Sequence, residues 1–168
     1  MKVAVTGHTS GIGKALFEYF QNNGHECLGF SRSNGYNIKN HQAIVEQSCG
    51  VEVFVNNAYN NYDNAQLILL KKIYEAYPNI YIINVSSRIT EYESTDPFVQ
   101  LYSRSKLLQD EFCKGKKNIT NLKIGMVDTP RMINYNSPKM NVADVVSMVE
   151  FVLQHQSRFH IATMTVGL

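Results

Sequence analysis

The chain has 168 residues, which is enough for one domain with a hydrophobic core and too few for two ordinary domains. Hydrophobic residues make up 44% of the chain and charged residues 18%, a balance that excludes an intrinsically disordered protein. The formal net charge is only +2, and apart from the run KGKK at 114–117 the basic residues are scattered, so nothing indicates nucleic-acid binding.

Cysteine usage and the N-terminal residues bear on the compartment. The three cysteines have neither paired nor metal-ligand spacing, which predicts free thiols in a reducing compartment and no metal site. The opening MKVAVTG enters a strand-like run at once, and no apolar run reaches membrane-spanning length. We therefore expect a soluble, cytoplasmic protein without a signal peptide or a membrane segment.

Short β-branched segments alternate along the chain with segments of helical periodicity. The sequence predicts strands at 2–6, 27–30, 51–55, 80–85, 122–127 and 160–166. It predicts helices from Ile12 to a stop at Gly24, at 40–48, at 64–77, from Asp96 as N-cap and Pro97 to about 114, and over the valines from Val142 to Val152. This alternation indicates a single doubly wound α/β domain over residues 1–168, with a parallel sheet covered on both faces.

A glycine-rich segment, TGHTSGIG at residues 6–13, lies between the first strand and the first helix. Glycines there permit a tight turn and a close approach of the backbone to a pyrophosphate, which a helix N-terminus stabilises electrostatically. This context favours nucleotide binding over an ordinary glycine-rich turn, and His8 is interpreted as a loop residue rather than a catalyst. The predicted cofactor contacts of this segment are Gly7, His8, Thr9, Ser10, Gly11, Ile12 and Gly13.

Five segments in chain order resemble the short-chain dehydrogenase/reductase family, over essentially the whole chain. The glycine spacing TGxxxGxG is similar to that of the family, VNNA at 55–58 to its NNAG stretch, and INVSS at 83–87 to the strand end that delivers its catalytic serine. YSRSK at 102–106 resembles its YxxxK motif, and GMVDT at 125–129 its PGxVxT segment. A tyrosine and a lysine four residues apart are common by chance, so the ordered set is what carries the resemblance.

The sequence also departs from the family pattern. Tyr59 stands in place of the NNAG glycine, and Ile124 in place of the proline of PGxVxT. The segment after Arg32 is too short for the helix and strand that family members carry there, and Asn37 stands where their acidic residue would be. The resemblance therefore implies a Rossmann-like parallel sheet that lacks one helix–strand unit, with six strands and with residues 27–30 near its edge.

The residues after the second strand bear on the choice of cofactor. An Asp or Glu there would bind the ribose 2′-hydroxyl of NAD, whereas Ser31, Arg32 and Ser33 supply a guanidinium and hydroxyls that suit the 2′-phosphate of NADP. We expect NADP(H) to be preferred, with NAD(H) possible. The resemblance implies further cofactor contacts at Asn37, Ile38, Asn57, Ala58, Tyr102, Lys106, Val127 and Thr129.

The resemblance implies a catalytic set of Ser87, Tyr102 and Lys106. Tyr102 would be the general acid in carbonyl reduction and the general base in alcohol oxidation, Lys106 would lower its pKa, and Ser87 would hold the substrate oxygen. Asn64 is our candidate for the asparagine that completes a proton relay in the family, although Asn60 and Asn61 compete and Asn64 could instead be a helix N-cap.

The predicted function is therefore an NADP(H)-dependent oxidoreductase that interconverts a small carbonyl compound and its alcohol by hydride transfer. The alternative is a non-catalytic dinucleotide-binding protein, either a nucleotide sensor or a structural partner, on a retained fold. The missing unit favours the alternative, and the retained Ser87, Tyr102 and Lys106 favour the enzyme. The helices near 64–77 and 98–114 carry more apolar residues than one buried face needs, and the corresponding family helices pair subunits, so we expect a homodimer or homotetramer.

Overall fold

The computed structural model describes residues 1–60 and 63–168, and in them one six-stranded sheet lies between two layers of helices. The strands are β1 (Lys2–Thr6), β2 (Glu26–Phe30), β3 (Val53–Asn56), β4 (Tyr81–Ser87), β5 (Ile119–Ile124) and β6 (Thr163–Val166). The α-helices are α1 (Gly11–Asn22), α2 (His41–Gln47), α3 (Ala65–Ala76), α4 (Pro97–Cys113) and α5 (Val142–His155), and 3-10 turns cover Arg32–Asn34, Arg88–Glu91 and Pro130–Met132.

The sheet is parallel throughout, with the strand order β2-β1-β3-β4-β5-β6. This order confirms the predicted α/β class, the six strands and the edge position of the second strand. One face of the sheet packs against α1 and α5 through residues such as Leu16 and Val149, and the other face packs against α2 and α3 through residues such as Ile44 and Leu69. Both faces are buried, as a parallel sheet requires.

The fifth strand is where the sequence prediction was wrong. The strand runs over Ile119–Ile124 rather than 122–127. Its early part contains polar residues that the apolar pattern did not include, but these side chains are buried and bonded: Thr120 Oγ1 donates to the Ile161 carbonyl at 2.6 Å, and Asn121 Nδ2 donates to Asp110 Oδ1 at 2.8 Å. A polar residue can occupy a buried strand when its hydrogen bonds are satisfied inside the protein.

The helix that carries the YSRSK segment begins as predicted. Asp96 is the N-cap of α4, and its carboxylate accepts hydrogen bonds from the backbone N–H groups of Phe98 at 2.8 Å and Val99 at 3.3 Å. Pro97 takes the first helical position, where its missing N–H costs no hydrogen bond. This start fixes which residues of α4 face the sheet.

Parallel strands bring their carboxyl ends to one edge of the sheet, and Thr6 ties two of these ends together. Thr6 Oγ1 donates to the Val55 carbonyl at 3.2 Å and accepts from the backbone N–H groups of Asn57 and Ala58, both at 2.9 Å. Asn57 Nδ2 returns a bond to the Thr6 carbonyl at 3.0 Å. The glycine-rich segment is therefore held against the end of β3. None of the described helices is long and apolar enough to cross a membrane.

Candidate active site

The glycine-rich segment forms a tight turn into α1. Gly7 (φ 73°) and Gly11 (φ 53°) adopt the left-handed conformation that favours glycine, and a Cβ on Gly13 would lie 2.2 Å from the Gly7 carbonyl oxygen. Ser10 is the N-cap of α1, but its side chain makes no capping hydrogen bond, and the first turn contains no acidic residue. Backbone N–H groups at this helix start are thus left for an anionic ligand.

His8 packs rather than projecting into the site. Its ring lies 4.9 Å from the Phe17 ring, and a Cβ on Gly29 would come within 2.4 Å of it, so β2 needs glycine at this point. Thr9 and Ser10 are exposed beside it, whereas Ile12 packs against the core. The geometry is in line with the interpretation of His8 as a loop residue.

Arg32 begins the 3-10 turn that follows β2, and it is exposed. Within residues 1–60 and 63–168 no hydrogen bond or ion pair engages its guanidinium. The neighbouring hydroxyls are engaged with each other, because Ser31 Oγ and Ser33 Oγ lie 2.7 Å apart. Arg32 is therefore the charged group at the end of β2 that can take up a phosphate.

Asn37 and Ile38 differ in what they can offer a cofactor. Asn37 is exposed, and its Oδ1 accepts a hydrogen bond from the Lys39 backbone N–H at 3.0 Å. The Ile38 side chain is 7% exposed and packs in the core with Phe30, so only the Ile38 backbone can face a ligand. Sequence position alone did not distinguish these two orientations.

The segment that follows β5 closes over the glycine-rich turn. Val127 is buried and pairs with Met140, supported by a bond of 2.9 Å from the Asp128 N–H to the Met140 carbonyl. Two residues further along, the methyl group of Thr129 lies 3.3 Å from the point that a Cβ would occupy if Gly11 carried a side chain. Thr129 therefore meets the start of α1.

Ser87, Tyr102 and Lys106 converge at the carboxyl edge of the sheet. Ser87 ends β4 and its Oγ accepts the Ile89 N–H at 3.2 Å, while Tyr102 and Lys106 lie one turn apart on α4. Lys106 Nζ is 5.8 Å from the centroid of the Tyr102 ring. Burial raises the pKa of Tyr102, against a hydrogen bond with Ser87 and the positive charge of Arg131, which act to lower it. The expected lowering of this pKa is therefore not found, because burial of the phenol outweighs the favourable contacts.

Lys106 is 2% exposed, and protein groups already bind its ammonium. Lys106 Nζ donates to Gln66 Oε1 at 2.8 Å and to the Val85 carbonyl at 2.9 Å. Burial lowers the pKa of Lys106 to about 7; the negative charge of Asp110 opposes this shift and the positive charge of Arg131 adds to it. The charge of Lys106 consequently changes near neutral pH.

Tyr59 covers this lysine. Its ring centroid lies 5.1 Å from Lys106 Nζ and 4.9 Å from the centroid of the Tyr102 ring, at 67° to that ring. The residue that replaces the family's glycine thus forms an edge-to-face pair with Tyr102 and a cation–π contact with Lys106.

The structure does not bring Asn64 to Lys106. Asn64 precedes α3, its side chain is exposed and makes no capping bond, and Asp63 Oδ1 caps the helix instead by accepting the Ala65 N–H at 3.0 Å. Asn60 Nδ2 donates to Asp63 Oδ2 at 2.6 Å, and Asn61 lies outside the described residues. Gln66, which sequence reasoning missed, is the side chain that accepts a hydrogen bond from Lys106. Its signal was a lone polar residue in the apolar run AQLILL.

Three asparagines form a ladder across the sheet behind the site. Asn56, Asn84 and Asn121 are aligned in register on β3, β4 and β5, and all three are nearly or fully buried. Asn56 Nδ2 donates to Asn84 Oδ1 and Asn84 Nδ2 to Asn121 Oδ1, both at 2.8 Å. Asn121 Nδ2 donates in turn to Asp110, which also accepts the Ser86 hydroxyl at 2.6 Å. This asparagine ladder ends on the carboxylate one turn beyond Lys106.

No protein-family model matches the sequence, and a search of curated proteins finds no match either. Solved structures match it in fold over nearly the whole chain. A 4-hydroxyisoleucine dehydrogenase mutant complexed with NADH and succinate has 18% sequence identity and a TM-score of 0.82, with 99% of this chain and 97% of that chain covered.

Two further structures give the same result. A short-chain dehydrogenase from Burkholderia cenocepacia in complex with NADP has 19% identity and a TM-score of 0.81, with 99% of this chain and 88% of that chain covered. Serine dehydrogenase from Escherichia coli has 18% identity and a TM-score of 0.74, with 99% and 97% covered. The chain therefore has the fold of the short-chain dehydrogenases/reductases.

Proposed function

We propose that this protein is an NADP(H)-dependent oxidoreductase that interconverts a small carbonyl compound and its alcohol. The observation that carries the proposal is the convergence of Ser87, Tyr102 and Lys106 at the edge of the sheet where the glycine-rich turn lies. Fold alone would not support an activity, because one fold hosts many functions. A binding protein has no physical need for all three side chains together.

The residues present fit a nicotinamide dinucleotide. The turn around Gly7 and Gly11 and the uncapped start of α1 suit a pyrophosphate, and the exposed Arg32 suits a 2′-phosphate. Solved structures of the same fold are complexed with NADH and with NADP. The nicotinamide ring, when bound, supplies the hydride that reduces the carbonyl carbon.

The protein groups then handle the proton and the charge. Ser87 Oγ holds the carbonyl oxygen by a hydrogen bond, and the Tyr102 hydroxyl transfers its proton to that oxygen as the alcohol forms. A positive charge on Lys106 stabilises the tyrosinate that this transfer leaves. Burial raises the pKa of Tyr102, so the phenol keeps its proton at neutral pH, which is the state from which it donates in carbonyl reduction.

One observation favours the non-catalytic alternative. Gln66 and the Val85 carbonyl already bind the Lys106 ammonium, and Tyr59 covers it. A contact between Lys106 and a cofactor ribose requires at least a rearrangement of Tyr59. In a nucleotide sensor, Lys106 could stay bound to Gln66 and Val85 under Tyr59, because no ribose contact or proton transfer would be needed. Such a protein would bind the nucleotide without turning over a substrate.

We further propose a homodimer or homotetramer. Several large apolar side chains of α3 and α4 are exposed in the single chain, among them Ile68, Phe98, Leu101, Leu107 and Leu108. Exposed apolar area of this kind is typical of surfaces that pair with another chain. Light scattering at micromolar concentration should give at least twice the monomer mass, and a monomeric mass would contradict the proposal.

Fluorescence titration with NADPH and NADH side by side tests the proposed function. We expect tighter binding of NADPH, followed by NADPH oxidation in a screen of small carbonyl compounds. The screen should include carbonyl compounds with a carboxylate, because the charge of the exposed Arg131 acts on Tyr102 and two of the matched structures are named for hydroxy amino acids. Binding of neither nucleotide would contradict both readings, and tight binding without any turnover would favour the sensor.

A further inference from the structure

Gln66 is the most completely bonded side chain near the candidate site, and neither the sequence motifs nor the proposed mechanism uses it. It is 1% exposed at the start of α3. Its Nε2 donates to the Asn56 carbonyl at 2.8 Å and to the Val85 carbonyl at 3.2 Å, at the ends of β3 and β4. Two bonds to backbone atoms of neighbouring strands fix the orientation of this amide, so its oxygen points in one direction only.

That oxygen faces Lys106. Gln66 Oε1 accepts from Lys106 Nζ at 2.8 Å and from Gln109 Nε2 at 3.3 Å. Since Val85 accepts bonds from both Lys106 and Gln66, the three groups form a closed set around the ammonium. An ammonium is a stronger donor than a neutral amine, so an oriented acceptor favours the charged form of the lysine.

We propose that Gln66 is the positioning residue of the active site: it holds the Lys106 side chain toward Tyr102 and keeps the lysine charged in a buried setting. The role of Gln66 in catalysis rests on the proposed function. The effect of Gln66 on the charge of Lys106 is independent of that function, because the hydrogen bonds exist whether or not the protein turns over a substrate.

Other groups also act on Lys106 and set the background for the test. Asp110, one turn further along α4, favours the charged lysine, and Arg131, from the 3-10 turn after Thr129, opposes it. The phenol rings of Tyr59 and Tyr102 lie over the ammonium. The hydrogen bonds of Gln66 go to Asn56, Val85, Lys106 and Gln109 rather than to Asp110 or Arg131, so substitutions at Gln66 keep the charges of Asp110 and Arg131.

Two opposite substitutions at this position test the proposal. Gln66→Met keeps the length and volume but removes the acceptor, so the Lys106 titration midpoint should fall by about one pH unit. Gln66→Glu places a negative charge against the ammonium, so the midpoint should rise. A role in packing alone would not shift the midpoint in opposite directions.

Gln109→Met is the matched control. Gln109 is another fully buried glutamine, and its Nε2 bonds to the same oxygen, whereas the two hydrogen bonds of Lys106 go to Gln66 and Val85. This variant removes a buried amide and leaves both Lys106 bonds in place, so the midpoint should stay where it is in the unmodified chain. It separates the loss of the acceptor from the general effect of a buried substitution.

The readout is NMR titration of lysine side chains from about pH 5 to pH 10 in protein with isotope-labelled lysine. The signal of Lys106, identified by its loss in Lys106→Met, should titrate near pH 7. The pH dependence of carbonyl reduction is measured in parallel, and its falling limb should follow the Lys106 midpoint. If Gln66→Glu fails to fold, Gln66→Met and Gln109→Met still decide the question.

The outcomes separate this inference from the proposed function. Shifted midpoints without turnover in any variant would keep the role of Gln66 and overturn the enzyme. Turnover with a Lys106 midpoint that is the same in Gln66→Met and in the unmodified chain would keep the enzyme and overturn the role of Gln66. A midpoint that moves equally in Gln66→Met and Gln109→Met would also overturn it, because the loss of the acceptor would then have no specific effect.

Discussion

The carboxyl edge of the sheet has two halves, one at β1 and β2 and the other at β3, β4 and β5. They differ in whether their polar groups are exposed or are buried and hydrogen-bonded. Around β1 and β2, the start of α1 is uncapped and Arg32 is exposed without a partner in the described part of the chain. Around β3, β4 and β5, Gln66, Lys106 and the asparagine ladder are buried and bonded to one another. The start of α1 and Arg32 are therefore available to a ligand, whereas Gln66, Lys106 and the asparagine ladder hold the second half together.

This contrast explains how a chain that lacks one helix–strand unit of the family pattern can keep Ser87, Tyr102 and Lys106 close together. The missing unit would lie beyond β2, which is the edge strand of the sheet. The part of the candidate site that contains Lys106 lies between α3, α4 and the central strands, where Gln66 and the asparagine ladder are hydrogen-bonded to their neighbours. Substitutions in the second half should therefore alter turnover or stability, and substitutions in the first half should alter ligand binding alone.

The largest effect is expected from Tyr102→Phe. Loss of the hydroxyl removes the proton donor, and positioned proton transfer contributes roughly 100- to 10,000-fold to a rate, so kcat for carbonyl reduction should fall by at least about 100-fold. NADPH affinity should change little, because the ring and its contact with Tyr59 remain. Stopped-flow or steady-state NADPH oxidation measures the rate, and fluorescence titration measures the affinity.

Tyr74→Phe is the matched control for that substitution. Tyr74 lies on α3 and contacts Phe112, away from Ser87 and Lys106, so its hydroxyl should be dispensable for turnover. Unchanged kcat in Tyr102→Phe would remove this tyrosine from the mechanism and with it the catalytic reading of the YSRSK segment.

Asn84→Leu should give the next largest effect, on stability. The substitution keeps the side-chain volume approximately but removes the Asn84 oxygen that accepts from Asn56 Nδ2. It also removes the Asn84 amide group that donates to Asn121 Oδ1. Each buried group left unsatisfied costs about 1–3 kcal/mol, so with two such groups the free energy of unfolding should fall by about 2–6 kcal/mol. Urea denaturation followed by circular dichroism measures this loss.

The exposed Asn79, in the turn between α3 and β4, provides the comparison for the ladder. Asn79→Leu should change the free energy of unfolding by no more than about 0.5 kcal/mol, as is usual for surface positions. A loss below about 1 kcal/mol in Asn84→Leu would mean that the asparagine ladder contributes little, and that the second half is not the more tightly bonded one.

The same contrast explains what the sequence predicted and what it did not. Apolar patterning predicted the strands and most of the α-helices of the described residues, because burial of apolar faces decides where these elements form, and Asp96 with Pro97 predicted the start of α4. It misplaced β5, because Thr120 and Asn121 are polar but buried, and burial of a polar side chain depends on partners that lie far away in the chain. The local hydrophobic pattern of a sequence does not show which distant residues will accept or donate these hydrogen bonds.

The candidate site shows the same limit. The motifs located Ser87, Tyr102 and Lys106, since their spacing follows from the ends of elements. The sequence did not predict the contact of Gln66 with Lys106, because it depends on which face of α3 meets α4 and the sheet. The raised pKa of Tyr102 was missed for the same reason, since burial is a property of the packed molecule rather than of the pentapeptide.

Arg32→Ala should give the smallest effect and the one most confined to ligand binding. A charge-assisted hydrogen bond contributes about 1.5–3 kcal/mol, so loss of the guanidinium should weaken NADPH binding by about 10- to 100-fold. NADH lacks the 2′-phosphate, so its affinity should hardly change, and neither should the free energy of unfolding, because Arg32 is exposed.

Arg158→Ala serves as the control for this substitution, since Arg158 is an exposed arginine beyond the end of α5. It should leave both affinities unchanged. Titration with the two nucleotides measures the ratio of affinities. Equal weakening of NADPH and NADH by Arg32→Ala would contradict the assignment of Arg32 to the 2′-phosphate. A loss of stability in Arg32→Ala would contradict the wider contrast, because the first half would then depend on its polar groups for folding as the second half does.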